Sequence, residues 1–241
     1  MTTQNWKSWS SSVTGPLHLK NGQPNQDSYL VKKFQWGEVV AVADGLGSKP
    51  NSNIGSKAAC QAVVESAKIF RNSPNANVKN LPRLIHSIWL MKIGQYEPKN
   101  CSTTCIFGIR IDENFILGQV GDGMLVVLGQ SSKTDFILHS GENNSFSNLT
   151  NALGQEFHNE YWVIKNIHVK HITALVLCTD GIADDLLYDK RIDFAREIWL
   201  NYADVPILSR KNEIQKMLTN WTVPFHTDDK TIVCLYQQHF G

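Results

Sequence analysis

Apolar positions along the chain alternate between two patterns. Short, nearly continuous apolar runs rich in β-branched residues occur at 38–43 (EVVAVA), 103–111, 114–120, 124–129, 135–139, 161–169, 174–178 and 231–236, and each has the length of a strand. Between them the apolar residues recur at helical spacing. Ile54, Ala58, Ala59, Ala62, Val63 and Ile69 mark a helix over 52–70, and Leu81, Leu84, Ile85, Ile88 and Trp89 mark a second. Two more helical patterns cover 191–202 and 211–221. The strands of the middle third are separated by turns such as Asp112-Glu113 and Gly121-Asp122-Gly123, so they read as an antiparallel meander. Two helices, a run of strands, two helices and a closing strand predict an α+β fold in which antiparallel sheet is covered by helices. Residues 141–147 (GENNSFS), followed by 72–80, are the candidate mobile loops.

Composition narrows this picture. The chain has 241 residues, of which 42% are hydrophobic and 19% charged, which suits one domain spanning 1–241 with a substantial core. The net charge is +1 and the two signs are mixed along the chain, so no basic stripe points to nucleic acid. No stretch approaches the ~20 apolar residues of a membrane span. The expectation is a soluble, cytoplasmic monomer. Five cysteines without a Cys-x-x-Cys pair read as reduced, buried thiols. Cys101 and Cys105, if on one strand, stand ~13 Å apart, too far to share an ion. Trp89 and Trp199 fall on apolar helix faces and read as core, whereas Trp6, Trp9 and Trp36 have no assigned place.

The chemistry lies at the strand ends. Three apolar runs lead into Asp-Gly, at Asp44, Asp122 and Asp180, and Asp228-Asp229 stands directly before the last strand. Any one of these reads equally well as a turn. Several strand ends of one sheet can converge at one edge, and carboxylates gathered there repel unless cations neutralise them. Hard oxygen ligands select Mg2+ or Mn2+ over zinc. Gly45, lacking a Cβ, can bring its carbonyl close to a bound ion.

In order along the chain, Gln26-Asp27, Asp44-Gly45-Leu46-Gly47, Ser102-Thr103-Thr104, Gly121-Asp122, Asp180-Gly181 with Asp184, and Asp228-Asp229-Lys230-Thr231 resemble the motifs of the type 2C metal-dependent protein phosphatases. With the N-terminal element GPLHLKNGQPNQDSY this set looks closest to the compact bacterial branch of that family, and NALGQ at 151–155 resembles the family's Ala-Leu-Gly segment. The resemblance implies a central antiparallel β-sandwich flanked by α-helices, with two metals and a possible third in a cleft at one end. It implies that Asp44 bridges two ions, that Gly45 offers its carbonyl to one, and that Asp180 and Asp228 complete the other. Asp122 and Asp184 would hold the third ion, and Asp27 would hydrogen-bond water held by the metals. The implied reaction is metal-dependent hydrolysis of phosphoserine and phosphothreonine esters in proteins, with a Ser/Thr kinase as the opposing activity.

The pattern also departs from the family. Leu46 stands where some relatives carry a proton-donating histidine, and Ser48 and Gly123 replace a glycine and a serine. His18 lies near the place of a phosphate-binding arginine and is the candidate phosphate contact or proton donor. Lys20 is a weaker candidate, and the other histidines show no ligand spacing. Two alternatives stand beside the phosphoprotein phosphatase: an inactive binding module of the same fold, and a phosphatase of small metabolites. The segment 184–225 is expected to shape specificity.

Overall fold

The computed structural model describes residues 5–73, 75–138 and 151–238. Among the described residues ten strands form two five-stranded sheets. In the first, β1 (Trp6–Val13), β10 (Lys230–Gln237), β9 (Ala174–Cys178), β6 (Met124–Leu128) and β7 (Phe136–Ile137) lie side by side in that order. In the second the order is β2 (Ser28–Phe34), β3 (Gly37–Ala43), β4 (Cys105–Ile111), β5 (Asn114–Val120) and β8 (Val163–His168). Every pairing is antiparallel.

The continuous apolar runs have a simple cause. Both faces of each central strand are covered, so alternation between apolar and polar is lost. Val40 and Val42 of β3 point between the sheets, where they meet Leu175, Leu177, Val233 and Leu235. Val39, Ala41 and Ala43 point outward to α2 (Ser52–Arg71) and α3 (Leu81–Ile93). The outer face of the first sheet, with Val176, Cys178, Ile232 and Cys234, packs on α5 (Arg191–Ala203) and α6 (Ile207–Thr219). The result is four layers, helix, sheet, sheet and helix, with three apolar clusters between them. The expected helix-flanked sandwich is present, and all five cysteines are buried thiols.

Several elements differ from the sequence reading. The middle strands are not a meander. The β4–β5 hairpin continues to β8, while β6 crosses to the other sheet and lies between β9 and β7. Gly121 and Gly123, at φ 92° and 94°, make the crossing turn, a backbone state that residues with a Cβ rarely enter. Of the segment at 135–139, the described part, which ends at Leu138, forms only the two residues of β7. Strands β1 and β2 and the short helix α1 (Pro16–Asn21) were not anticipated, because serines and lysines obscure their alternation. In β1, Trp6 enters the core between the sheets and Trp9 the opposite face. Trp36 stacks on Phe34, ring centroids 4.6 Å apart. Helix α6 starts at Ile207, four residues before the expected 211, because the exposed Ile207 and Leu208 break the apolar stripe. The loop at 141–147 lies outside the described residues, and within 72–80 residues Val78–Asn80 form a 3-10 turn.

Helix α2 carries the aspartate loop on its N-terminal side, and its seating depends on one small residue. A Cβ at Gly55 would stand 1.8 Å from the carbonyl oxygen of Cys101, and the Gly55 carbonyl accepts the indole N–H of Trp89 at 3.0 Å. Gly55→Ala is expected to destabilise the protein by about 2 kcal/mol or more, since the clash is with backbone that cannot rotate away. Urea unfolding measures it, and an unchanged midpoint would show that the helix can shift without cost.

Candidate metal centre and active cleft

Asp44 is held by its main chain. Its amide donates to Thr104 Oγ1 at 2.8 Å, and its carbonyl accepts from Thr103 Oγ1 at 2.7 Å and from the Thr104 amide at 2.8 Å. The loop entering β4 thus clamps the loop leaving β3 and leaves the carboxylate free to point into the cleft. Gly45 is required by close packing: a Cβ there would stand 2.6 Å from the backbone of Ser52 at the start of α2.

Asp27, just before β2, accepts from Thr179 Oγ1 at 2.7 Å, and the same hydroxyl oxygen accepts the Thr231 amide at 3.1 Å. Thr179 directly follows β9, so this bond ties the second sheet to the first beneath the cleft. Asp180 follows as the first residue of the one-turn helix α4 (Asp180–Ala183), and its Oδ1 accepts its neighbour's amide, Gly181 N, at 2.7 Å. Carboxylate oxygens of Asp44, Asp122 and Asp180 come within 4.8 Å of one another, and so do ligand atoms of His18, Asp228 and Asp229. Leu17, His18, Gln26, Asp44, Gly45, Leu46, Asp122, Asp180 and Asp228 are among the residues lining one cleft of about 370 Å³. Among the described residues no lysine or arginine lines it. Asp184 stands apart from these groups, 71% exposed and 3.7 Å from Arg191, in an adjoining hollow that it shares with Asp180 and Asp228.

Electrostatics records the crowding. Burial, opposed in part by the Thr179 hydrogen bond, pushes the Asp27 carboxyl up to about 7. Burial and then the neighbouring charges of Asp228 and Asp122 push Asp180 up to about 8. Asp44 is driven well above the usual carboxylate range by burial, with Asp27 and Asp180 adding repulsion.

Two residues of the last motif, to which the sequence assigned no role, support the site. Asp229 is buried and accepts the amides of Gly15 and Gln26, each at 2.6 Å, with His18 Nδ1 2.9 Å from its Oδ1 though off the line of a hydrogen bond. It fastens the N-terminal segment to the start of β10. Lys230, only 1% exposed, places its ammonium 3.3 Å from the Asp228 carbonyl and 3.8 Å from Asp185, over the ring of Trp221. Burial lowers its pKa. The adjacent pair Asp228-Asp229 was the available signal: one carboxylate faces the cleft and the other faces the protein.

A family profile described as Protein phosphatase 2C matches residues 14–219. No curated protein matches the chain in sequence. Among solved structures, the catalytic domain of the serine/threonine protein phosphatase PstP, in complex with 2 manganese ions, is similar over 97% of this chain and 99% of that one, at 16% identity and TM-score 0.62. Stp1, a serine/threonine phosphatase from Staphylococcus aureus, is similar over 99% of this chain and 96% of its own, at 14% identity and TM-score 0.60. RsbX in complex with magnesium is similar over 99% and 98%, at 15% identity and TM-score 0.60. These likenesses establish the fold, and the profile covers most of the chain. The chain therefore belongs to the protein phosphatase 2C family and is a metal-dependent serine/threonine phosphoprotein phosphatase.

Proposed function

We propose that this chain hydrolyses phosphoserine and phosphothreonine esters of proteins at the carboxylate cleft, with Mg2+ or Mn2+ held by Asp44, Asp180, Asp228 and the Gly45 carbonyl, and a third ion by Asp122 and Asp184. The observation that carries the assignment is the meeting of Asp44, Asp122 and Asp180 within 4.8 Å. The buried Asp27 Oδ1, without a hydrogen-bond partner, fits the same reading. Oxygen donors alone suit these hard cations. When bound, the two metals supply an activated water as nucleophile and neutralise phosphoryl charge.

The chain's own residues do the rest. Asp27 is fixed by Thr179 at the floor, where its free oxygen can orient a water. Gln26, its backbone pinned by Asp229, lines the cleft as a neutral amide. His18 lines the cleft with Nδ1 turned to Asp229, which leaves Nε2 for the leaving oxygen of serine or threonine. Leu46 lines the same cleft and has no proton to give. The substrate is a phosphorylated protein in the cytoplasm, and a Ser/Thr kinase acting on the same targets is the natural counterpart. Among the described residues no helix is long and apolar enough to cross a membrane.

Three outcomes are expected. Phosphate release from a phosphothreonine peptide requires added manganese, stops with chelator, and falls at least about 100-fold in Asp180→Asn; metal-independent turnover would refute the assignment. His18→Gln loses about 100-fold on the phosphothreonine peptide and far less on p-nitrophenyl phosphate, whose leaving group needs no proton. Equal losses on both would make His18 a phosphate contact instead. The third outcome concerns pH. Asp27 and Asp180 sit at about 7 and 8, above the ordinary 3.8, so the metal-free native state binds more protons than the unfolded chain between those limits. The contribution of these two carboxyls to stability is therefore full below about pH 4 and is lost as pH rises toward 8. Chelated protein should melt at a lower temperature at pH 8 than at pH 5, with manganese raising the value more at pH 8. A flat profile without metal would contradict the crowding.

A further inference from the structure

Among the described lysines and arginines two are buried, Arg210 and Lys230, and the fold treats them differently. Arg210 donates to the carbonyls of Val205 and Ala203 and to the Tyr236 hydroxyl, at 2.9, 3.2 and 3.0 Å, so neutral acceptors match its guanidinium. Lys230 has three N–H donors, yet among the described residues it makes one hydrogen bond, to the Asp228 carbonyl at 3.3 Å. Its ion pair with Asp185 is 3.8 Å long, beyond hydrogen-bond reach, and Asp185 Oδ2 already accepts the Trp221 indole N–H at 2.7 Å. A buried ammonium with so few partners is costly unless the charges around it favour it. Asp185 and Asp228, then Asp27 and Asp180, do so.

The position of this ammonium gives it a use. Lys230 lines the hollow of about 170 Å³ together with Asp180, Asp184, Asp185 and Asp228. Asp180 and Asp228 also line the main cleft, so the hollow adjoins the metal centre, whereas Asp44 and Gly45 line the cleft alone. The third ion, between Asp122 and Asp184, falls on the side of the hollow. Two cations are already fixed there, because Arg191 stands 3.7 Å from the Asp184 carboxylate. On the side of Asp44 the described lining holds no lysine or arginine. The carboxylates are therefore compensated unevenly: those around Asp44 wait for metal, and those of the hollow face positive charge that the chain itself supplies.

Resting on the phosphatase reading above, we propose that Lys230 sets the affinity of the third metal position, its fixed ammonium repelling a divalent ion in the hollow so that the pair at Asp44 fills first. The ammonium lies 5.8 Å from the centre of the Trp221 ring, and its stem belongs to β10, so it stays in place when metal enters. Lys230 is a positioning residue, acting through its field on where the ions settle. Like charges a few ångströms apart in a partly buried site shift an equilibrium by about tenfold or more.

The test counts Mn2+ bound to the full chain by equilibrium dialysis, comparing the neutral variants Lys230→Met and Lys230→Gln with the charge-keeping Lys230→Arg. The unaltered protein should bind two ions tightly and a third at least about tenfold more weakly. Both neutral variants should tighten the third ion by about tenfold while the tight pair shifts by less than about threefold, and Lys230→Arg should match the unaltered protein. The tight pair serves as the internal check that the cleft has assembled. A third ion bound equally in every variant, or a tightening shared equally by all three ions, would overturn the proposal and leave the phosphatase reading intact. So would loss of the tight pair in both neutral variants, which would make Lys230 a prop for the Asp228 backbone. A chain that binds no Mn2+ in any form would overturn both.

Discussion

Mutual repulsion among buried carboxylates is the constraint around which this fold is arranged. Asp27, Asp44 and Asp180 meet at one end of the sandwich, and burial there works against the charge of each. Left to itself such a cluster would spread apart or take up protons. The sandwich prevents the spreading by holding backbone rather than side chains. Thr103 and Thr104 clamp both main-chain groups of Asp44, and Thr179 binds Asp27 from the opposite sheet. Neutral hydroxyls do this work without cancelling the negative charge that a cation must find.

The site also depends on how closely the main chain approaches itself. The Asp44–Gly45 turn lies directly against the start of α2, and the Asp180 loop lies against that of Asp228 and Asp229, where a Cβ on Gly181 would fall 1.9 Å from the Asp229 carbonyl oxygen. Asp229 supplies the remaining tie by drawing the amides of Gly15 and Gln26 onto one carboxylate. The two adjacent aspartates thus divide their labour by direction. Asp228 faces the cleft, and Asp229 faces the N-terminal segment.

The central strands were legible because burial on both faces writes them as unbroken apolar runs; 114–120 and 174–178 match their observed bounds. The outer strands were not. In β1 the serines at 8 and 10–12 pair along β10 on a covered edge, and only Trp6 and Trp9 mark the two faces. The sheet to which a strand belongs was equally hidden, since β5 and β6 read alike and only the positive φ of Gly121 and Gly123 directs the chain across. The site aspartates were legible as strand-end carboxylates, and Asp44, Asp122 and Asp180 do meet. The role of Asp229 was not, because it acts through backbone amides distant in sequence.

The pairing of β1 with β10 has a consequence for synthesis. Trp6 lies opposite Gln237, and Asp27 and Asp228 belong to elements joined only after this closure. Contacts of such long range form late. The cleft is therefore incomplete while the chain is still being made: an emerging polypeptide can bury its α2–α3 layer, yet it lacks Asp228, Asp229 and the strand that holds them. The full set of carboxylates stands together only with the tenth strand in place between β1 and β9, so a chain shortened before Asp228 lacks part of the cleft whatever else of it has folded.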